Sequence, residues 1–366
     1  LIPSDMIQTI EVNKSLTPDM EGDAIGGSVN LITRSNPNRF RFSATGSYGL
    51  NAIRDGYNGS ASFIVANKVN DKFGYTVSSS LQTNDYGSDN IEFVWNNPED
   101  WAADSPFDEH DIRRYDVKRT RRSISANLDY AVNNNHQFYI KSMYNSRNDW
   151  ENRFRLRVAK IDLEENTVRV RKQTKGGIDN DDNQNRRLEA QSTYKIALGG
   201  DHQFGNLAMS WKASTSKADE QRPNERYMRF EQKNVPISAI DISDPQFPVI
   251  RFAGDQWNDV AAFNFNEATE QNGLTEETDE SFRVDFKFPK EKVGTFKFGG
   301  KYKSKEKLRD NNFFDFSDYV ESRYATMADV AFADYTVSDY LPGSEYQHGF
   351  FATPQFLGDV IMPPSE

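Results

Sequence analysis

Between residues 39 and 303 the chain alternates apolar with polar residues again and again, and this period of two constrains the fold more than any other feature of the sequence. In residues 39–50, Phe40, Phe42, Ala44, Gly46, Tyr48 and Leu50 oppose Arg39, Arg41, Ser43, Thr45 and Ser47. Successive side chains of a strand point to opposite faces, so such a run has one apolar and one wet face. The pattern returns with Phe63, Tyr75, Leu128, Ile140, Tyr194, Trp211, Val284, Phe286 and Phe298 on the apolar side. The tally is about nine runs, each about the ten residues that a tilted strand needs to cross an outer membrane.

Connection lengths add an orientation. Short turns near residues 70–72, 133–135, 199–205 and 289–293 alternate with long connections at 84–118, 145–184, 217–279 and from 305 onward. A bacterial outer-membrane barrel has this asymmetry, with turns on the periplasmic side and loops outside. Phe73, Tyr130, Phe138, Phe288 and Phe296 adjoin the short turns and read as an interfacial girdle. Within one long connection, residues 152–172 carry two alternating runs around Glu164-Glu165-Asn166, which predicts a hairpin above the membrane.

Composition agrees with a barrel and excludes several other classes. Hydrophobic content is only 36%, yet aromatics reach 13%, as expected when apolar and polar residues alternate. No run approaches the roughly 18 apolar residues of a membrane-spanning helix. A formal net charge of −11 argues against nucleic acid as a partner. With no cysteine, thiol and disulfide chemistry are absent. The histidines are scattered without zinc spacing, and Asp179 to Asp182 lack the rest of a calcium loop. Neither an enzyme nor a cofactor is expected.

Residues 7–34 read differently. Two β-type runs, 7–12 and 28–33, flank a connection rich in Pro18, Asp19, Gly22 and Asp23, with Gly26 and Gly27 beside the second run. The wording I-x-x-I-E-V, a Pro-led turn, then A-I-G-G-x-V-N-L-x-T-R resembles the end of the plug domain of TonB-dependent outer-membrane receptors. The turn departs from many members, which carry an aromatic and a glycine there. The resemblance implies a plug motif at Glu11, Gly26, Gly27, Asn30, Thr33 and Arg34, with Gly26 and Gly27 letting the plug backbone lie close to the barrel wall. Glu11 and Arg34 either face wall charges or form a solvated pair.

The expected fold is therefore all-β: an antiparallel transmembrane β-barrel of the type with about 22 strands, of which only about the first nine are present, preceded by a plug-domain remnant. Residues 1–36 would end the plug and residues 37–366 would begin the barrel. Starting at Leu1 without a leader, the chain reads as a fragment, and its wall as an open sheet with two unpaired edges. The implied function is TonB-driven import of a scarce nutrient of siderophore, cobalamin or oligosaccharide type in the outer membrane of a Gram-negative bacterium. Partners would be TonB, outer-membrane lipid and lipopolysaccharide, and the small ligand. A passive porin or an adhesive surface barrel is the alternative. If period two continues unbroken, Arg119, Arg121, Arg153, Arg155 and Arg157 all turn inward, where arginine forks could form an anion-binding vestibule. Neutralisation of acidic loops, or contact with lipopolysaccharide, is the alternative account of them.

Overall fold

The computed structural model describes residues 7–15, 20, 26–33, 39–100, 105–290 and 294–360. Arg34, most of the connection between the first two runs, the loop at 35–38, residues 291–293 of the last short turn and the final six residues lie outside them. Strands β1 (Ile7–Asn13) and β2 (Ser28–Thr33) form an antiparallel hairpin of their own, with Glu11 opposite Asn30 and Val12 opposite Val29.

All nine alternating runs are strands of one antiparallel sheet: β3 (Arg41–Asn51), β4 (Gly56–Lys68), β5 (Phe73–Trp95), β6 (Phe107–Asn133), β7 (His136–Asp162), β9 (Arg187–Phe204), β10 (Leu207–Asp241), β12 (Asn264–Lys290) and β13 (Gly294–Asp315). β8 (Thr167–Gly176) completes the expected hairpin with β7, turning at residues 163–166, and bridges β7 to β10 above β9. β11 (Val249–Phe252) is a short addition to β10. Apart from β8 inserted between β7 and β10 and the short β11 on β10, each strand pairs with the next in the chain, so the sheet is a meander, and β3 and β13 are its two ends among the described residues.

The register accounts for the alternation. From Phe73 opposite Tyr130, and Tyr130 opposite Phe138, one row of aromatics crosses three strands beside the short turns. Leu128, Ile140, Phe42 and Phe298 stay exposed on this aromatic face, whereas Ser78, Ser123, Ser125 and Asn127 on the other, polar face are buried. Tyr75, Trp211, Val284 and Phe286 share the aromatic face but are half-buried.

The long connections depart most from expectation. The strands continue through them: β10 has 35 residues and β6, β7 and β12 have 27 each. At about 3.3 Å per residue, β10 is roughly three times longer than a bilayer crossing requires. In this upper half the aromatic face becomes apolar again, with Ile112, Phe154, Leu156, Val158, Val170, Met228 and Phe230 all buried. What covers them is residues 316–360, where the alternation ends: α1 (Ser317–Glu321), the β14–β15 pair (Phe332–Asp334 and Phe350–Ala352) and α2 (Pro354–Asp359). Phe351 and Leu357 from this cap are fully buried, and the Tyr335 ring stacks on Phe154 at 3.7 Å. Each fully buried large side chain contributes about 1.5–3 kcal/mol. The sheet's hydrophobic core therefore lies in its upper half, beneath the cap.

Candidate functional site

Chemistry concentrates on the polar face, at two levels. The lower level lies against the hairpin. Glu11, Asn13, Ser28 and Asn30 share a cleft of about 680 Å³ with Tyr139, Lys195, Lys212, Arg283 and Lys301 of the wall. Lys212 is directly opposite Arg283, and Arg283 opposite Lys301, so three cations form one cross-strand row facing the hairpin. Asn30 Nδ2 donates to Glu11 Oε2 at 3.1 Å, which keeps the Glu11 carboxylate paired within the hairpin while it lines this cleft, where Asp201 and Asp285 stand among the cations and Asp285 takes Arg283 at 2.5 Å. Thr33 pairs through its backbone with Ile7.

Gly27 has φ +123°, and a Cβ there would sit 2.4 Å from the Asn13 carbonyl oxygen. The close approach that requires glycine is thus made to the hairpin's own first strand, not to the wall. Gly26 has open space around it.

The upper level contains the arginines, and the structure divides the five. Arg119 is held bidentately by Asp149, Nε at 2.5 Å and Nη2 at 2.7 Å, and lies over the Tyr86 ring. Arg121 donates to the Gln82 amide oxygen at 3.4 Å, with no carboxylate in salt-bridge reach among the described residues, and stands opposite Arg147. From Arg147 to Arg157 is ten positions along β7, roughly 33 Å, so a single small ligand cannot contact both groups. Parity was read correctly: β6 and β7 pair without a bulge between Glu109 and Ala131, and all five arginines share the polar face. A shared face does not bring them together.

Arg153, Arg155 and Arg157 do assemble, with residues of β6, β8 and β10 that lie within the long connections. Three cross-strand rows lie above one another: Asp111, Arg157, Arg171 and Glu231; Arg113, Arg155, Gln173 and Arg229; Tyr115, Arg153, Lys175 and Tyr227. In the top row Asp111 accepts from Arg157 Nε at 2.7 Å and from Arg113 Nη2 at 2.6 Å, while Glu231 takes Arg171 at 2.7 Å. Burial works to raise the Asp111 carboxyl, but the bonds from Arg157 and Arg113 outweigh it and hold it below its usual value. Arg229 pairs with Glu267 at 2.8 Å and Lys175 with Glu225 at 3.1 Å.

Two guanidiniums are left over. Arg153 donates to the Gln173 amide oxygen at 2.8 Å and lies over the Tyr227 ring, with no described carboxylate in salt-bridge reach. Among the described residues Arg155 comes no nearer to a carboxylate than 3.8 Å, to the already engaged Asp111, and its Nε has no hydrogen-bond partner. Burial, opposed by Asp111 and joined by the like charges of Arg153, Arg157 and Arg113, brings Arg155 down to about 10. Such a group is an under-compensated donor fork. Among the described residues no group of three metal-ligating side chains converges. The signal for Gln173 and Lys175 was present in the alternation of Arg169, Arg171, Gln173 and Lys175 with Val168, Val170, Lys172 and Thr174.

No protein-family model matches the chain, and no curated protein does. Among solved structures it is similar to the ferric citrate transporter FecA in its unliganded form, with a TM-score of 0.24 and 11% identity, over 83% of this chain and 46% of that one. It is also similar to the siderophore receptor PiuA from Acinetobacter baumannii, with a TM-score of 0.24 and 10% identity, over 84% of this chain and 51% of that one. The chain thus spans about half the length of these structures. At such scores neither likeness transfers a ligand or a mechanism, and the reading below rests on this chain's own residues.

Proposed function

We propose that this chain is the plug end and first wall section of a TonB-dependent outer-membrane receptor that imports a scarce small nutrient. The observation that carries the reading is the hairpin of plug-like sequence set against the polar face of the wall, where Glu11 and Asn13 share a cleft with Lys212, Arg283 and Lys301. On this reading the lower aromatic face meets lipid, the polar face lines the lumen, and the strand extensions with the cap stand outside the cell. Ligand arriving at the upper rows would shift the hairpin, and TonB would supply the energy to clear the path.

The test is uptake in cells with and without TonB. The protein should fractionate with the outer membrane and lose ligand uptake when TonB is removed. Uptake that persists without TonB would make the wall a passive porin.

A further inference from the structure

We infer that the shelf centred on Arg153 and Arg155 binds a small soluble anion carrying at least two carboxylate or phosphate groups. The inference rests on the receptor reading for its placement at the entry mouth, and it names the class of ligand.

The geometry carries it. Arg153 and Arg155 are successive residues on one face of β7, so their α-carbons are roughly 6–7 Å apart. Both are partly accessible from the polar face, between β6 and β8. The surrounding cations are absorbed by carboxylates: Arg157 by Asp111 and Glu109, Arg171 by Glu231, Arg229 by Glu267, and Lys175 by Glu225 and Glu151. Within these three rows, and among the described residues, the two central guanidiniums lack a carboxylate of their own, in a chain whose acidic residues outnumber its basic ones, 55 to 44. A lone carboxylate would satisfy one fork, whereas two anionic groups a few ångströms apart would satisfy both. Gln173, opposite both Arg155 and Arg229, presents a neutral amide where a glutamate would have closed the ion-pair network. Lipid phosphate is a poor occupant, because the shelf opens on the face that carries the hairpin and away from the aromatic face.

The experiment measures binding of citrate and of pyrophosphate to the full chain in detergent, with anionic lipid vesicles as a third probe. Citrate or pyrophosphate should bind saturably, with affinity falling roughly tenfold or more in Arg155→Gln and in Arg153→Gln. Arg323→Gln, two residues past α1, where the guanidinium lies over the Tyr319 ring, should bind as wild type. The second variant guards against misfolding: Gln173→Glu supplies an internal counter-ion, so it should fold at least as well as wild type and lose anion binding. Absence of saturable binding overturns the inference, and so does binding that survives both Arg155→Gln and Gln173→Glu. Arg155-dependent binding of vesicles but of neither soluble anion overturns it in favour of lipid. The receptor reading fails separately: TonB-independent uptake would sink that reading and leave the anion shelf standing, whereas TonB-dependent uptake without anion binding would do the reverse.

Discussion

At the scale of single residues, the cap is fastened by groups that would ordinarily be charged in water. Lys172 on β8 is 1% exposed, donates to Asn258 Oδ1 at 2.7 Å, and has the rings of Trp257, Phe263 and Phe351 within 5.6 Å of its ammonium. Burial pushes Lys172 down to about 7 against the weaker pull of Asp334. His110 on β6 and His348 in the cap are fully enclosed, one stacked on Phe93 and the other edge-on to Tyr340, with no hydrogen-bond partner among the described residues. Burial lowers each histidine to about 3; Asp111 opposes this at His110, and Arg114, Arg54 and Lys172 reinforce it at His348. The sign follows directly. A histidine whose folded value lies below its unfolded value takes its proton first in the unfolded chain, so stability is full above the unfolded value and falls as pH drops through it. The loss reaches about 2 kcal/mol per ring near pH 5. Acidification should therefore loosen the cap, read as faster proteolysis within residues 316–360, and the double variant His110→Phe with His348→Phe should flatten that dependence; an unchanged slope would contradict it. Lys172→Ala leaves a cavity and should cost about 2–4 kcal/mol, whereas Lys172→Met fills the same box and should cost about 1 kcal/mol or less. Thermal unfolding in detergent separates the two.

At the scale of elements, legibility depended on what the alternation was made of. Where apolar side chains alternate with small polar ones, as in Leu128 against Asn127, the strand, its turn and its facing could all be read. Where both faces carry charge the same backbone continues unseen: Arg222, Glu220 and Glu189 make ion pairs across β9 and β10, and Lys217 pairs with Glu276 across β12. Hydrophobic periodicity has nothing to detect in such ladders, so in the sequence the strand extensions look like loops. The cap was illegible for another reason, because its buried residues, such as Met327, Tyr346 and Leu357, come from short irregular pieces with no period. The arginines were half legible: parity gave their face, but only strand pairing could show that Asp149 occupies Arg119 while Arg153 and Arg155 lack such a partner. Facing in the lower half makes its own prediction. Leu128→Arg, on the aromatic face, should cost about 2–4 kcal/mol on folding into lipid vesicles, against little for Thr45→Arg, exposed on the polar face of β3. Equal costs would mean that the aromatic face does not meet lipid.

At the scale of the whole molecule, and for these 366 residues taken by themselves, the two sheet ends among the described residues set the solution behaviour. An unpaired strand presents a row of N–H and C=O groups to any other chain. β13 is protected against its own kind, because Lys297, Lys301, Lys303, Lys305 and Lys307 all stand on one face, and a second copy would stack cation on cation. β3 has no such defence: after Arg41 its sequence FSATGSYGLN carries no charge, and Phe42, Tyr48 and Leu50 are each at least 60% exposed. Self-association should therefore run through β3. Lysines at Ser43 and Thr45, on the polar face of β3, would give that edge the protection β13 already has, without touching the aromatic face. Sedimentation in detergent should show wild type forming larger species and the double-lysine variant dispersed, with matching lysines on β13 having little effect. A monodisperse wild type, or a variant that associates as strongly, would mean that the β3 edge is not the contact, and that the wall holds its ends apart by some other means.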